Sequence, residues 1–283
     1  MGSYVVKIEK AGYFSTRFPV FIGRNQEITT TVRLYENHRI PPGFAYIPAG
    51  PFTRFGDPNV LTFPYTAEIT LPDYAIAVSP VTCGEYLEFL NQLVRSDPEE
   101  ARARCPRASE TTGFLWQLDG SSYRLPPKGK YPWSESLPVF CVSFDDALAY
   151  CRYRSKRDGL PYDLSSEAER EKAAKGVDGR FFSWGDHFDN EYANNYYARE
   201  GEQGVIEIDA YPQDCSPYGV RGMVGNVSDW CYLEGSDRQG AAALCGGNWA
   251  LTGDACRLAV RRSTSQTYVS DRFGFRLKLV LTS

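Results

Sequence analysis

The first 34 residues contain three runs in which β-branched or alternating hydrophobic and polar positions succeed one another, the pattern of β-strands. These runs span 4–9, 18–22 and 28–34, and glycine-containing turns separate them. Because three strands seldom bury a core of their own, we predict either the end of a small β-sandwich or a β-layer docked on the main domain. Residues 35–43 end in Pro-Pro-Gly and are predicted to form a linker.

Farther along, three segments carry the signals of helices, and in the first of them hydrophobic positions recur with the period of an amphipathic helix. Each segment opens with a hydroxyl residue and has an acidic residue three positions later, which is the pattern of a capping box. These pairs are Thr82 and Glu85, Ser143 and Asp146, and Ser166 and Glu169. Gly159 and Gly176 are predicted to end the second and third helices. Residues 95–137 are rich in Arg, Pro and Tyr and predict a surface insertion, whereas the chain after Gly176 predicts loops with short strands.

The composition agrees with a loop-rich α+β domain, because 25 Gly and 18 Pro interrupt regular elements and 14% of the residues are aromatic. The formal net charge of −4 supplies no basic stripe, so we expect no nucleic-acid partner. No hydrophobic run is long enough to span a bilayer and no leader is recognisable, so we expect no membrane insertion and a cytoplasmic location. The eight cysteines form no Cys-x-x-Cys pair and are expected to be reduced and mostly buried.

The small number of histidines limits the enzyme classes that fit the sequence. Only His38 and His187 are present, and a Ser-His-Asp triad or a histidine zinc site would need one of them. Neither lies in a motif for such chemistry. The glycines of 222–226 do not come after a strand-helix-strand pattern, so they are interpreted as turn glycines rather than a phosphate-binding loop.

Three boxes rich in glycine and aromatic residues carry the strongest signal. They are SPYGVRGMVGNVSDWC at 216–231, GGNW at 246–249 and RFGFR at 272–276. In this order they resemble the formylglycine-generating-enzyme (sulfatase-modifying factor) family, whose core is a variant of the C-type-lectin fold. The resemblance implies an α+β, C-type-lectin-like domain over 41–283. The β-rich segment before it, 1–40, resembles a PEGA-type β repeat.

The resemblance also implies calcium as a candidate cofactor, because the family holds two Ca²⁺ ions through carbonyl, amide and carboxylate oxygens. The ligands that carry over are the carbonyls of Gly225 and Val227, the carboxylate of Asp229, the side chain of Asn194 and the carbonyl of Asn195. Gly222 departs from the pattern, since the family often has Asn or Asp there. Glu200 and Glu202 are candidates for a missing acidic ligand. The alternative interpretation is that Asp229 only caps a turn.

Copper is the cofactor of the family's oxidases, which hold Cu(I) with two cysteines just after a Gly-Gly-Ser-aromatic box. A soft monovalent ion needs two thiolates close together. Here Asn248 replaces the serine, Leu251 stands where the first thiolate is expected, and Cys256 is the one cysteine that comes after the box. Cys245 precedes the box. We therefore expect no copper and no catalysis, with a copper-dependent oxidase that acts on a protein cysteine as the alternative.

Recognition is the function that remains. The segment 250–273 joins two boxes and is interpreted either as a ligand-facing loop or as an ordinary solvated loop. Because arginine and aromatic side chains contribute most to binding surfaces, we select residues of these types around the second box, together with the asparagine of the box itself. They are Asn248, Trp249, Arg257, Arg261, Arg262 and Tyr268. Variable proteins made by diversity-generating retroelements diversify this part of the frame, which is a further alternative.

The stretch 175–185, taken with 218–231, resembles the form of this domain that is fused to bacterial serine/threonine kinases. The resemblance implies a non-catalytic module at the sensor end of such a kinase, with the kinase domain upstream of these residues. The expected partner is an unidentified protein or small-molecule ligand.

Overall fold

A computed structural model describes residues 1–60, 65–127, 129–201, 203–235 and 239–281. Within these residues the chain folds into four α-helices and fourteen strands arranged in five sheets. The mixture of helices with mainly antiparallel strands confirms the predicted α+β class. The candidate calcium ligand Glu202 lies outside the described residues. No helix of the described chain has the length and apolar character that crossing a bilayer requires.

The N-terminal segment is a hairpin rather than a three-stranded layer. Strands β1 (Gly2–Ile8) and β2 (Thr16–Ile22) pair antiparallel. The predicted third strand at 28–34 is wrong, because this run has no ladder partner within the described residues and a strand needs one. Tyr35, in the predicted linker, is buried and its hydroxyl donates to the Asp73 carboxylate at 2.9 Å. This contact fastens the N-terminal segment to the rest of the chain.

One four-stranded antiparallel sheet joins the start of the main domain to its end. Its order is β3-β6-β14-β9. The strands are β3 (Phe44–Ile47), β6 (Tyr74–Ala77), β9 (Tyr162–Asp163) and β14 (Lys278–Val280). Ala45 lies opposite Ile76, which in turn lies opposite Lys278. Between β3 and β6 the chain forms a separate hairpin of β4 (Gly50–Phe55) and β5 (Thr66–Leu71).

A second four-stranded sheet, in the order β12-β11-β10-β13, gathers the later part of the chain. Its strands are β10 (Ser228–Cys231), β11 (Ala241–Cys245), β12 (Arg261–Ser265) and β13 (Phe273–Gly274). β10 pairs antiparallel with β11 but parallel with β13. The parallel pair is possible because the long excursion through β11 and β12 returns the chain to the same edge.

Three helices begin where the sequence predicted. α1 (Cys83–Ser96), α3 (Phe144–Asp158) and α4 (Glu167–Lys175) each start with a reciprocal capping box. Gly159 ends α3 in the left-handed conformation, with φ of 67°. The capping-box predictions are therefore confirmed. A further helix, α2 (Pro98–Arg104), was not predicted from the sequence.

The 95–137 segment does more than cover the surface, so its predicted role as a surface insertion is wrong in part. Besides α2 it contains the hairpin of β7 (Gln117–Asp119) and β8 (Ser122–Arg124). Trp116 is buried in the main core, with its ring edge-on to Tyr86 of α1. Large aromatic residues bury more apolar area than any others, and this one draws the insertion into the core.

Candidate functional site

The three sequence boxes meet at one end of the second sheet. Ser228 joins the first two boxes, because its hydroxyl donates to the carbonyl of Gly246 at 3.0 Å and accepts from the amide of Asn248 at 3.0 Å. Gly247 approaches the carbonyl of Val224 so closely that a Cβ atom at this position would overlap it. Only glycine permits such an approach, which explains the Gly-Gly pair of the second box.

A buried ion cluster around Asp229 lies beneath the boxes. The Nε atoms of Arg170 and Arg276 donate to its Oδ2 at 3.1 and 2.8 Å, and all three side chains are buried. Arg170 also donates to the carbonyl of Met223 at 2.8 Å, which ties α4 to the first box. Burial lowers the pKa of Arg276 although Asp229 opposes this effect. The cluster holds α4 and two of the boxes together by charge in a low-dielectric interior.

A second buried carboxylate, which the sequence did not single out, organises the turn before β10. Asp214 accepts the backbone N–H groups of Met223, Val224 and Gly225 at 3.1, 2.9 and 3.2 Å, and the hydroxyl of Ser183 at 2.7 Å. Burial raises the pKa of Asp214, and these hydrogen bonds work against that rise. Its partners lie 9 to 31 residues away, so no local pattern marks the residue.

A cleft of about 330 Å³ opens beside Trp249, between the segment 130–132 on one side and Arg199 with 203–205 on the other. The indole Nε1 of Trp249 donates to the carbonyl of Asp271 at 3.0 Å. The guanidinium carbon of Arg272 lies 5.7 Å from the centre of the indole ring. The half-buried ring is thus fixed from two sides, and it forms a rigid apolar surface with a satisfied polar atom.

The polar groups of the cleft bond to one another near the surface. The Lys130 ammonium donates to the hydroxyl of Tyr131 at 2.8 Å and lies 3.8 Å from the Asp271 carboxylate. Tyr131 in turn donates to Asp271 at 3.1 Å. Burial raises the pKa of Tyr131, so its hydroxyl remains a donor at neutral pH. The lining residues include no histidine, and the cleft offers hydrogen-bond partners rather than a nucleophile beside a base.

Of the six predicted binding residues, Trp249 lines the cleft and Tyr268 is 43% exposed. The other four bond to groups inside the domain, and their role in ligand binding stays a prediction. The partners are Asp57 for Arg257, Glu171 for Arg261, the Gly246 carbonyl for Arg262 and Ser228 for Asn248. A buried guanidinium needs its counter-charge within the fold, and sequence alone does not show which arginines are buried. Lys130, Tyr131 and Asp271, which the sequence analysis did not select, line the cleft instead.

The comparison with protein families decides the family. Residues 31–280, which include all three boxes and the cleft, match the family described as the sulfatase-modifying factor enzyme 1-like domain. The chain belongs to this family. Among relatives of this sulfatase-modifying-factor domain is the inactive C-alpha-formylglycine-generating enzyme 2 of Bos taurus. It is 29% identical over 242 residues, which cover 74% of this chain and 78% of the relative.

Another relative is the serine/threonine-protein kinase Pkn1 of Chlamydia trachomatis serovar L2, 27% identical over 250 residues. The match covers 82% of this chain but 37% of the kinase. Two solved structures share the fold. PvdO from Pseudomonas aeruginosa aligns with a TM-score of 0.66 and 21% identity over 90% of this chain and all of that one. Variable protein 1 of Treponema denticola aligns with a TM-score of 0.59 and 19% identity over 83% of this chain and 94% of that one.

Leu251 stands where the first copper thiolate of formylglycine-generating enzymes is expected, and the neighbouring thiol is that of Cys256. The Cys256 sulfur lies 3.8 Å from the Leu251 carbonyl. Burial raises the pKa of Cys256 to about 12, so the thiol stays protonated at neutral pH. Cys245 packs in a separate apolar cluster with Cys231. One protonated thiol beside an aliphatic side chain does not fit Cu(I), which needs two thiolates.

The eight cysteines of this domain are all free thiols, and seven of them are buried. This confirms the expectation of mostly buried thiols. A buried thiol in apolar surroundings reacts slowly because its thiolate form is disfavoured.

The predicted calcium ligands of the domain fall into two groups. At Asp229 two guanidinium groups donate to Oδ2, and Arg170 also donates to the Met223 carbonyl. The other carboxylate oxygen, Oδ1, is buried and has no hydrogen-bond partner within the described residues. A Ca²⁺ ion there would stand beside two fixed positive charges, which disfavours a divalent cation. The carbonyls of Gly225 and Val227 belong to this same predicted group, and calcium there stays a prediction.

The second group is the side chain of Asn194 and the carbonyl of Asn195. The Asn194 side chain donates through Nδ2 to the Gly204 carbonyl at 2.9 Å and to Asn226 Oδ1 at 3.0 Å, and the Asn195 carbonyl accepts from Ala198 N–H at 3.2 Å. The described residues contain no cluster of three or more His, Cys, Asp or Glu side chains arranged to hold a metal. Calcium at Asn194 and Asn195 stays a prediction.

Proposed function

We propose that this sulfatase-modifying-factor domain is a non-catalytic recognition module that binds a protein segment or small ligand in the cleft beside Trp249. One observation carries the proposal: a cleft lies beside the second box, whereas Leu251 stands where the first copper thiolate is expected and only the buried thiol of Cys256 lies next to it. A domain that keeps a binding frame without the metal ligands can still bind. The likeness to a bovine relative that is named inactive supports this view.

The cleft has the properties of a binding site. Its volume of about 330 Å³ falls within the range of small-ligand pockets. The Trp249 indole supplies a rigid apolar wall, and tryptophan is enriched among the residues that dominate binding energy. Around it, Lys130 and Tyr131 donate hydrogen bonds and Asp271 accepts them. These groups suit a polypeptide segment with an apolar side chain and an adjacent carbonyl or charge.

The setting that we propose is the sensor region of a bacterial serine/threonine kinase in the cytoplasm. The relative Pkn1 matches this chain over 82% of the chain but only 37% of the kinase, which is the relation expected of one domain in a longer kinase. The eight free thiols support a reducing compartment.

A random-peptide display experiment on the purified chain tests the recognition site. We expect enrichment of peptides that the wild type binds and that Trp249→Ala binds at least about tenfold more weakly. Tyr4→Ala removes an exposed aromatic side chain on the N-terminal hairpin and should leave binding unchanged. Enriched peptides that bind Trp249→Ala and the wild type equally would place recognition elsewhere on the molecule.

The rival function is a copper-dependent oxidase that acts on a protein cysteine. Titration with Cu(I) should show no tight one-to-one complex with the wild type, and a cysteine peptide should not consume oxygen. Leu251→Cys places a second thiol beside Cys256 and should gain Cu(I) affinity. Tight stoichiometric copper binding by the wild type together with oxygen uptake would establish the oxidase instead.

A second alternative is a variable protein of a diversity-generating retroelement that binds its ligand through residues 250–273. The fold shared with variable protein 1 of Treponema denticola motivates it. Several side chains in this segment, including Arg257 and Arg261, form internal ion pairs, which limits the positions that can vary freely. Sequencing this segment in many clones of one strain tests the idea, because diversification would appear as substitutions confined to exposed positions such as Ser263 and Tyr268.

A further inference from the structure

A second cavity, of about 400 Å³, lies between the N-terminal hairpin and the main domain. Val20 of β2 contributes to one wall, while Phe52 of β4 and Tyr218 contribute walls from the main domain. The lining residues Phe21 and Ile28 are 43% and 40% exposed, so the cavity opens to solvent on their side. Large apolar side chains that stay exposed around a concave surface are typical of ligand sites.

A single buried cation lines this mostly apolar cavity. Lys172 of α4 is 1% exposed. Its ammonium donates to the carbonyl of Pro48 at 2.8 Å and to that of Gly50 at 2.9 Å. An ammonium group has three N–H donors, and both of these acceptors are neutral. The two carbonyls therefore orient the ammonium without neutralising its charge.

The other buried cations of α4 show what Lys172 lacks. Arg170 pairs with Asp229 at 3.0 Å, and Lys175 pairs with Glu171 at 2.8 Å. Within the described residues, Lys172 has no carboxylate inside the 4.0 Å limit of an ion pair. Asp73 acts on it from farther away, while burial lowers the pKa of Lys172 to about 8. A buried charge without a counter-charge is unfavourable, so an anion bound beside Lys172 would stabilise the folded chain.

We propose that the cavity binds a small molecule with an apolar body and one carboxylate group, which pairs with the Lys172 ammonium. The apolar walls take the body, because burying apolar surface is favourable. One ammonium matches one monovalent carboxylate, whereas a phosphate ester would need further donors. Glu68 also lines the cavity, but it is exposed, and water screens its repulsion. This site is separate from the Trp249 cleft and does not depend on the function proposed for it.

Calorimetry with octanoate and 1-octanol on the full chain tests the proposal, since the two probes share an alkyl body and differ in charge. We expect octanoate to bind the wild type at least about tenfold more tightly than octanol. Lys172→Met should reduce the octanoate affinity to that of octanol. Lys156→Met makes the same change at an exposed lysine of α3 and should leave octanoate binding unchanged.

The proposal is overturned if the wild type binds neither probe, or binds both equally, or if Lys172→Met binds octanoate as the wild type does. The only role of Lys172 would then be to join α4 to the carbonyls of Pro48 and Gly50. A second variant covers the case in which Lys172→Met does not fold. Val20→Trp fills the cavity from the hairpin and keeps the ammonium, so octanoate binding should be lost; full affinity in this variant also overturns the proposal.

Discussion

The cleft beside Trp249 and the cavity lined by Lys172 differ in how they hold charge. In the cleft, Lys130 is exposed, bonds to Tyr131 and lies near Asp271. In the cavity, Lys172 is buried among apolar walls, and the described chain supplies only neutral carbonyls to it. Exposed pairs exchange partners with little change in free energy, whereas a buried charge selects its counter-ion strongly. This difference agrees with the two proposals, a protein segment with an apolar side chain and an adjacent polar group in the cleft and one small anion in the cavity.

The largest effect on stability is expected at Asp229, a buried carboxylate that pairs with buried cations. Asp229→Asn leaves the guanidinium groups of Arg170 and Arg276 buried without their carboxylate. The free energy of unfolding should fall by about 3–5 kcal/mol, measured by urea denaturation. Asp254→Asn is the matched control, because this carboxylate pairs with Arg257 at the surface and its loss should change stability little. Equal effects of the two substitutions would contradict the structural role of the buried cluster.

The second-largest expected effect is a pH dependence of stability that comes from the Lys172 ammonium. Its pKa is about 8 in the folded chain against an ordinary value of 10.5, so the unfolded chain holds this proton over that interval and the folded chain does not. Stability relative to Lys172→Met should therefore rise with pH from about 8 to about 10.5, by up to about 3 kcal/mol. Below about pH 8 the penalty of the buried ammonium is complete and the difference should be constant.

Urea denaturation of both proteins across this pH range measures the effect. Because the two proteins share their tyrosines and cysteines, the contributions of these groups to the pH dependence of stability cancel in the difference. A difference that does not change with pH would mean that Lys172 keeps an ordinary pKa, and the comparison between cavity and cleft would lose its basis.

A smaller effect is expected in the cleft. Lys130→Ala removes an exposed ammonium that lies 3.8 Å from Asp271. Stability should change by no more than about 0.5 kcal/mol, because exposed ion pairs contribute little. The same substitution should weaken the peptides selected on the wild type if their contacts include an acidic group. A loss of stability comparable to that of Asp229→Asn would show that the cleft is part of the buried frame.

The smallest effect is expected from chelation. Because two arginines occupy the Asp229 carboxylate, the melting temperature should be the same in EDTA and in excess Ca²⁺. A structural calcium ion would instead stabilise the folded state by mass action. A fall of several degrees in EDTA would show that a structural ion is bound, and the same measurement on Asn194→Ala and Asp229→Asn would then separate the two predicted sites.

Much of the fold could be predicted from local sequence. The three capping boxes were predicted correctly because a hydroxyl and a carboxyl group three residues apart satisfy the first N–H groups of a helix by themselves. The run at 28–34 has the composition of a strand but no partner within the described residues, and a ladder depends on another part of the chain. The burial of Trp116 in the main core could not be predicted from local sequence either, since it depends on the packing of the whole insertion.

The glycine and aromatic boxes identified the family and predicted that no copper-binding cysteine pair follows the second box, because both are properties of residue types at fixed spacing. The tertiary structure alone decided which charges are buried and paired. Arg257 and Asp57 are 200 residues apart in the chain and form an ion pair at 3.0 Å. Lys172 and the carbonyl of Pro48 are 124 residues apart. The energy of a charge depends on the dielectric and the counter-charges around it, and folding brings these surroundings together from distant parts of the chain.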